Sequence, residues 1–400
     1  MRILLVTEKF PPKIFGGGEI SAFLLAKALS KENEIHIISA GPGEKYELEG
    51  VQVHPMIKAP PSWLPIDLQR NEAFYLSVLR AILRFLRRYG RFDMIHSTYT
   101  RTIGGALLAS KLNSIPIIAT INDPWATCFF QTHFRKGEIC KVCSRQGVKT
   151  CLRDVAGRSS GSSFLQFSMR LRRLLVEKCD GLMTNSAAMK DLLRINGIKR
   201  EIAVIPSAVD IESFRYEKPR LEGEILYIGR VDLGKGADIA IRAFAKAGEG
   251  KLVVVGTGTL LEECKKLAKR LGVEDRVEFR GKIPYHSVPS TIHEADVVFV
   301  PFQRIEAYGR VLLESNACGR GVITTTIGAN HTHIKDGING LIFEPSDIEG
   351  MALAIRNLLS NPDLIEKMGV SGRKIVEENF TIKILGEKVS NFYRTILRKE

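Results

Sequence analysis

Short, continuous apolar runs recur along the whole chain, each followed by a segment whose apolar residues fall at helical spacing, and this alternation constrains the fold more than any other feature. The runs are RILLVT, EIHIISA, MIHST, PIIATI and GLMTNS, then ILYIGR, KLVVVG, RVEFRG, VVFVPF and GVITTT. Strands apolar on both faces must be covered by helices on both sides, which predicts an α/β chain built of doubly wound, mostly parallel sheets. With 400 residues and 44% hydrophobic content the chain can bury two cores of ordinary domain size. The boundary falls at IPSAVD, where a strand ends in Pro206 and the polar stretch ESFRYEKPRLEGE precedes the next sheet. The expected domains are therefore residues 1–206 and 207–381, followed by a last helix over 382–398. No tandem repeat or low-complexity run interrupts them.

Two loops carry the chemistry. In PFQRIEAYGRVLLESNACGRGVI, Glu306 and Glu314 stand eight positions apart across Gly309. The run ADVVFV predicts a strand over 295–300, and Val311, Leu312, Ser315 and Cys318 predict a buried helix over 310–318. Glu306 then lies in the strand-to-helix loop, and Glu314 about one turn inside the helix. The opening of such a helix aims N–H groups and the positive end of its dipole outward, which favours a phosphate. Glu314 is placed to accept hydrogen bonds from ribose hydroxyls, and Glu306 from a second polyhydroxylated group. Seventy residues earlier, ILYIGRVDLGKG sets Arg230 and Lys235 around a glycine-rich loop, two cations suited to a diphosphate. A third loop, FGGGEI, places Gly16, Gly17 and Gly18 at the start of the first helix. It is not G-x-G-x-x-G, and no clean acidic ribose ligand follows the second strand, which argues against a dinucleotide-binding domain.

In order and spacing these three stretches resemble the E-x7-E, G-R-x5-K-G and P-x4-GG segments of family 4 retaining glycosyltransferases. The resemblance covers nearly the whole chain. It implies the GT-B architecture, two Rossmann-like domains facing across a cleft, with the final helix crossing back onto the first. It also implies a hexosyltransferase using a nucleotide-diphosphate sugar. The implied donor site comprises Gly17, Gly18, Arg230, Lys235, Ile283, Glu306, Tyr308, Gly309, Arg310, Val311 and Glu314. Within it Arg230 and Lys235 stabilise the departing diphosphate and Glu306 positions the sugar, while Gly16, Asn122 and Asp123 lie on the acceptor side. No nucleophile–base pair is identifiable, which suits a reaction limited by leaving-group stabilisation, and no catalytic metal is expected.

The chain departs from that family's pattern at three places. Asn122-Asp123 stands where His-Asp is usual, so hydroxyl recognition survives better than acid–base work. Ser207-Ala208 replaces Asn-Gly, and Thr332 stands where many relatives have Glu. Two alternatives to transfer stay open: a nucleotide-sugar 2-epimerase, whose acid–base residues are not evident in a clear pattern, and a noncatalytic nucleotide-sugar or glycan-binding protein.

Charge is unevenly distributed. Residues 1–206 hold 30 Lys and Arg against 17 Asp and Glu, so nearly all of the net +14 belongs to the first domain. An acceptor side of this charge is expected to prefer an anionic surface or substrate. In a basic amphipathic helix over 74–91, Arg80, Arg84, Arg87, Arg88 and Arg91 share one stripe and Leu76, Leu79, Ile82, Leu83 and Leu86 the other. Arg170, Arg172 and Arg173 form a second cluster beside Leu171, Leu174 and Leu175. Either an ordinary solvated face or docking on anionic headgroups fits these patterns, whereas nucleic acid does not, because no recognised binding module accompanies the charge. No run is long enough to span a bilayer and no signal peptide is apparent, so a cytoplasmic enzyme resting on the inner membrane face is expected, with a lipid-linked or polyisoprenoid-linked glycan as acceptor.

Seven cysteines complete the inventory. Cys179, Cys264 and Cys318 read as small core residues. Cys128, Cys140, Cys143 and Cys151 cluster in one insertion over 128–151, a C-x2-C with two outlying thiols. This set fits a structural zinc or iron–sulfur site, with His133 able to replace one thiol, but disulfides and unligated thiols remain alternatives. Oligomeric state, donor base, sugar and linkage are not encoded legibly.

Overall fold

The computed structural model describes residues 1–12, 16–41, 43–60, 62, 72–135, 138–140, 142–156 and 162–398. The chain forms two compact units. One comprises Met1–Arg135, Cys140–Ala208 and Ile382–Glu400, the other Lys136–Ile139 and Val209–Thr381.

The first unit is built on an eight-stranded sheet. Its strands are β1 (Arg2–Val6), β2 (Glu34–Ala40), β3 (Tyr46–Leu48), β4 (Val51–Ile57), β5 (Met94–Ser97), β6 (Ile117–Thr120), β9 (Gly181–Thr184) and β10 (Ile202–Val204). Two further strands, β7 (Phe134–Arg135) and β8 (Glu138–Ile139), belong to the cysteine-rich insertion. The sheet order is β10-β9-β6-β5-β1-β2-β4-β3, parallel except for the β3–β4 edge pair. The order reverses between β1 and β5, so the crevice beyond their carboxyl ends is the topologically favoured binding place in this unit.

The final helix, Ile382–Leu397, packs Leu385, Val389, Tyr393 and Ile396 into the core of this first unit beside Ile3, Leu25 and Met94. A polar contact fixes it further. His96, fully buried on β5, has Nδ1 2.5 Å from the Tyr393 hydroxyl and Nε2 2.7 Å from that of Thr120.

The second unit is a six-stranded, wholly parallel sheet of β11 (Glu224–Ile228), β12 (Lys251–Val255), β13 (Val277–Gly281), β14 (Val297–Val300), β15 (Gly321–Thr325) and β16 (Gly340–Phe343). Its order, β13-β12-β11-β14-β15-β16, is the 3-2-1-4-5-6 arrangement of a doubly wound dinucleotide-type fold. The reversal lies between β11 and β14. Those are the two strands that lead into the Arg230–Lys235 and Glu306–Gly309 loops.

Two surface expectations need correction. The basic helix spans Glu72–Tyr89 and stops before Gly90, which takes φ 80°, so Arg91 lies outside it. Its buried face is Phe74, Tyr75, Val78, Ala81, Ile82, Phe85 and Leu86, while Leu76 is 51% exposed. The aromatic positions set the phase of burial, and Leu76 falls on the far side at 3.6 residues per turn. In the second cluster, Arg172 is not a surface cation but is completely buried. Its guanidinium lies over Trp125 and Phe129, 5.2 and 4.8 Å from the ring centroids, and donates to the Trp125 carbonyl at 3.3 Å.

Burial lowers the pKa of His96 from 6.5 to about 3. The fold therefore holds the ring neutral while the unfolded chain protonates near 6.5. This contribution is present above pH 6.5 and is lost as pH falls toward 3. Urea melts between pH 7 and pH 4 are expected to lose about 3 kcal/mol through this group. His96→Gln, which keeps polar contacts but cannot titrate, should have a correspondingly shallower pH dependence.

Candidate active site

Beyond β11 the chain must turn sharply, and the side chain beneath the turn fixes its shape. The hydroxyl of fully buried Tyr227 lies 2.9 Å from the Arg230 carbonyl and 3.1 Å from that of Lys235, sharing its proton between the two ends of the loop. The following helix, Ala237–Ala247, begins after Gly236 at φ 88°, where a Cβ would stand 1.9 Å from the Pro301 carbonyl oxygen. Only glycine fits so close an approach in that conformation. The neighbouring loop is stitched to this one: Gln303 and Arg304 both donate their amides to the Gly234 carbonyl, at 3.0 and 3.2 Å. From the far side, Ala329 donates its amide to the Glu306 carbonyl at 3.0 Å.

This backbone framework brings Lys235 and Glu306 into direct contact through Nζ and Oε2. Burial pulls the Lys235 pKa below its ordinary value, and the Glu306 carboxylate opposes that shift. Arg230 sits differently. It is mostly solvent-exposed and pairs with Asp232 at 3.1 Å, so it is free to reorient toward a ligand. Arg304 joins the group from the same loop as Glu306, its pKa lowered first by burial and then by the nearby Arg230 charge. Three cations, Arg230, Lys235 and Arg304, and two carboxylates, Asp232 and Glu306, are thus gathered at one end of two adjacent parallel strands. That composition is suited to a doubly charged diphosphate with a polyhydroxylated neighbour.

The second carboxylate lies deeper. The helix Arg310–Ala317 starts after Gly309 at φ 66°, and no side chain of the described residues caps it. Glu314, 5% exposed, accepts from Arg310 at 3.0 Å and from the Tyr285 hydroxyl at 2.9 Å on the same Oε1. Burial alone would lower the Arg310 pKa, but Glu314 and Tyr285 outweigh it and hold the guanidinium charged.

The structure groups Arg230, Lys235, Glu306, Gly309, Arg310 and Glu314 in the second unit. Tyr308 is 3% exposed, packed 5.1 Å from the His333 ring, so it offers a ligand its backbone rather than its phenol. Ile283 and Val311 are half-buried against the core. Sequence reasoning did not single out Tyr285, Arg304 or Asp232. Arg304, two positions from Glu306 in the same loop, was the most accessible of these, whereas Tyr285 reaches Glu314 only through the fold.

In the first unit, Gly16 precedes the helix Gly17–Leu29 with extended backbone and no capping side chain among the described residues. Residues 13–15 of the predicted phosphate-facing loop lie outside the described residues. Asp123 acts as a local cap, accepting from the Trp125 amide at 2.8 Å and from Thr100 at 3.0 Å, and burial raises its pKa. Asn122 lines a pocket with Ser21, Thr98, Thr120, Asn185 and Ser207. The side-chain oxygens of Asn122 and Asn185 are both buried and have no hydrogen-bond partner among the described residues. Each is an acceptor available to a hydroxyl donor.

Comparison with known proteins gives the family and the fold. The family described as Glycosyltransferase Family 4 matches residues 15–213, and that described as Glycosyl transferases group 1 matches residues 209–375. The chain is 25% identical to a glycogen synthase of Mycobacterium tuberculosis, over all of this chain and 96% of that protein. Its fold is similar to that of sucrose-phosphate synthase from Thermosynechococcus elongatus, with a TM-score of 0.79, 20% identity and full coverage of both chains. It is also similar to Anabaena HepE in complex with UDP-glucose, with a TM-score of 0.74 and 17% identity over 99% of this chain and all of that one. The second unit is a doubly wound parallel domain, and the fold is of the GT-B class. The chain belongs to glycosyltransferase family 4 and is a glycosyltransferase.

Glu314→Gln leaves the buried Arg310 charge without its carboxylate and should destabilise the protein by about 3 kcal/mol in urea melts. Replacing both, Arg310→Met with Glu314→Leu, should recover much of that loss.

Proposed function

We propose that the enzyme transfers a hexose from a nucleotide-diphosphate sugar to a lipid-linked or polyisoprenoid-linked glycan, with retention of anomeric configuration. The observation that carries the donor assignment is the Lys235–Glu306 pair at the sheet reversal of the second unit, with Arg230 and Arg304 beside it and Glu314 held by Arg310 and Tyr285. HepE, one of the similar structures, was solved with UDP-glucose, which supports a donor of that class for this chain as well.

In this reading the diphosphate lies against the opening of the Arg310–Ala317 helix and is neutralised by Lys235 and Arg230. Glu306, already bonded to Lys235, exchanges part of that contact for a sugar hydroxyl, and Glu314 holds the ribose. As the glycosidic bond to the diphosphate breaks, negative charge builds on the leaving oxygen, where the fixed cations and helix N–H groups count most. That oxygen can accept the acceptor's proton, and the acceptor hydroxyl attacks from the same face. Asn122 fits this scheme as a hydroxyl-binding group rather than a proton shuttle. UDP, GDP and ADP are all compatible with contacts that read only phosphate and ribose.

The membrane side of the proposal rests on the first unit's surface. Arg80, Arg84, Arg87 and Arg88 are exposed along the Glu72–Tyr89 helix. Leu76, Phe164, Phe167 and Leu174 are exposed on that helix and on Ser162–Glu177, whose Ser168 donates to Glu72 at 2.7 Å. Cations interleaved with exposed apolar groups suit the interface of an anionic bilayer. No helix among the described residues is long and apolar enough to cross a membrane. The location we propose is the inner, cytoplasmic face of a membrane, on the strength of that basic and apolar surface.

Arg230→Ala and Lys235→Ala are each expected to lower kcat by about two to three orders of magnitude. Full kcat in either would contradict the diphosphate assignment. Nucleotide release should require added acceptor, and release without it would favour an isomerase or hydrolase. Vesicle sedimentation should capture the enzyme on anionic but not neutral lipid, with Arg84→Glu plus Arg87→Glu weakening capture and salt abolishing it.

A further inference from the structure

Among the groups that the donor chemistry leaves unused, the thiols of Cys128, Cys140, Cys143 and Cys151 form no set able to hold a metal ion as the described residues stand. Arg304 is different, because the charges of its site are paired and it is not. Arg230 pairs with Asp232 at 3.1 Å, Lys235 contacts Glu306 directly, and Arg310 meets Glu314 at 3.0 Å. Asp232 is committed a second time, accepting from the Thr259 amide at 2.9 Å and from its hydroxyl at 3.1 Å. Each of these three cations thus has a carboxylate of its own. Arg304 makes no ion pair and no side-chain hydrogen bond with the described residues.

Backbone, not a charged partner, fixes where this side chain lies. The Arg304 amide donates to the Gly234 carbonyl at 3.2 Å, and the aliphatic stem then runs over Gly234 itself. A Cβ on Gly234, which takes φ 81°, would stand 3.0 Å from Cβ of Arg304 and 3.1 Å from its Cγ and Cδ. A stem laid on a bare glycine holds its guanidinium beside the loop that bears Arg230 and Lys235. The residue is half-buried there. Burial and then the like charge of Arg230 work against its protonated form, with Glu306 and Asp232 acting in the opposite sense. A guanidinium that is partly desolvated, repelled by a neighbouring cation and without a carboxylate of its own is stabilised by any anion that reaches both arginines.

We propose that Arg304 binds the sugar-linked phosphate of the nucleoside-diphosphate donor, as a third cation beside Arg230 and Lys235. This rests on the donor-site reading above and adds to it one residue and the phosphate it holds. Arg304 shares a loop with Glu306, two positions away, and Glu306 is the carboxylate assigned to the sugar. Glu314, assigned to the ribose, lies inside the following helix, Arg310–Ala317. The phosphate next to the sugar is therefore the one within the reach of Arg304. What binding requires also sets this residue apart. Lys235 and Arg230 must share or leave a carboxylate before they meet phosphate, whereas Arg304 gives up only water. Its planar fork suits two phosphate oxygens at once.

The test is calorimetric binding of the full-length chain to UDP, GDP and ADP and to UMP, GMP and AMP. The wild type should prefer one diphosphate over the monophosphate of the same base. Arg304→Met, which keeps an apolar stem over Gly234, should weaken that diphosphate about 10- to 100-fold and leave the monophosphate nearly unchanged, so that the preference narrows. If the variant does not fold, the wild type decides the matter: phenylglyoxal modification of Arg304, mapped by peptide mass, should be blocked by the diphosphate but not by the monophosphate at equal saturation. An unchanged diphosphate preference in Arg304→Met, an equal loss for both nucleotides, or modification indifferent to the diphosphate would overturn the role of Arg304 and leave the donor site standing. If none of the three diphosphates binds the wild type, the donor-site reading falls and this proposal falls with it.

Discussion

The site in the second unit depends on the Gly234 carbonyl, which accepts the amides of Gln303 and Arg304 and so locks the loop after β11 to the loop after β14. Parallel strands side by side deliver their loops to one end of the sheet, but that alone leaves Lys235 and Glu306 free to point apart. The shared carbonyl, the Gly236 approach to Pro301 and the Tyr227 hydroxyl beneath the turn remove that freedom. The backbone of the two loops is thus ordered in the folded protein rather than when a ligand arrives, which favours electrostatic stabilisation of a leaving group.

The two carboxylates have been given different surroundings. Glu306 is partly covered and paired with a largely buried lysine. Glu314 is enclosed, with Arg310 and Tyr285 both directed at one of its oxygens. In the proposed reading, the carboxylate held by one lysine meets the sugar and the one held by two donors meets the ribose. The first unit offers a contrasting chemistry of hydroxyls and two amide oxygens, of Asn122 and Asn185, that have no hydrogen-bond partner among the described residues, in one pocket. Neutral acceptors of this sort recognise hydroxyl groups without competing for the proton that transfer releases.

Much of this was legible from residue order. Apolar runs located the strands because strands buried on both faces cannot conceal their composition, and glycines beside paired charges located the two site loops. What stayed hidden required knowledge of packing. Leu76 was assigned to the wrong face because Phe74, Val78 and Phe85, not the leucines, set the phase of the helix. Arg172 looked like its neighbours Arg170 and Arg173, yet the rings of Trp125 and Phe129 bury it. Tyr285 is 29 residues from Glu314 in sequence, and no local pattern announces their contact. His133 has the residue type of a metal ligand, but hydrogen bonds to Thr127 and Cys140 occupy both its nitrogens.

The central claim is that the paired loops beyond β11 and β14 form a nucleoside-diphosphate site, and a thermal-shift titration of the wild-type protein with UDP, GDP, ADP and their sugar conjugates addresses it most directly. At a ligand concentration 100 times Kd a single site adds about 2.7 kcal/mol of stability. The account predicts a saturable rise in Tm with one of these nucleotides and its loss when Arg230 and Lys235 are both replaced by alanine. A shift of undiminished size in that double variant, or no shift with any nucleotide, would contradict it.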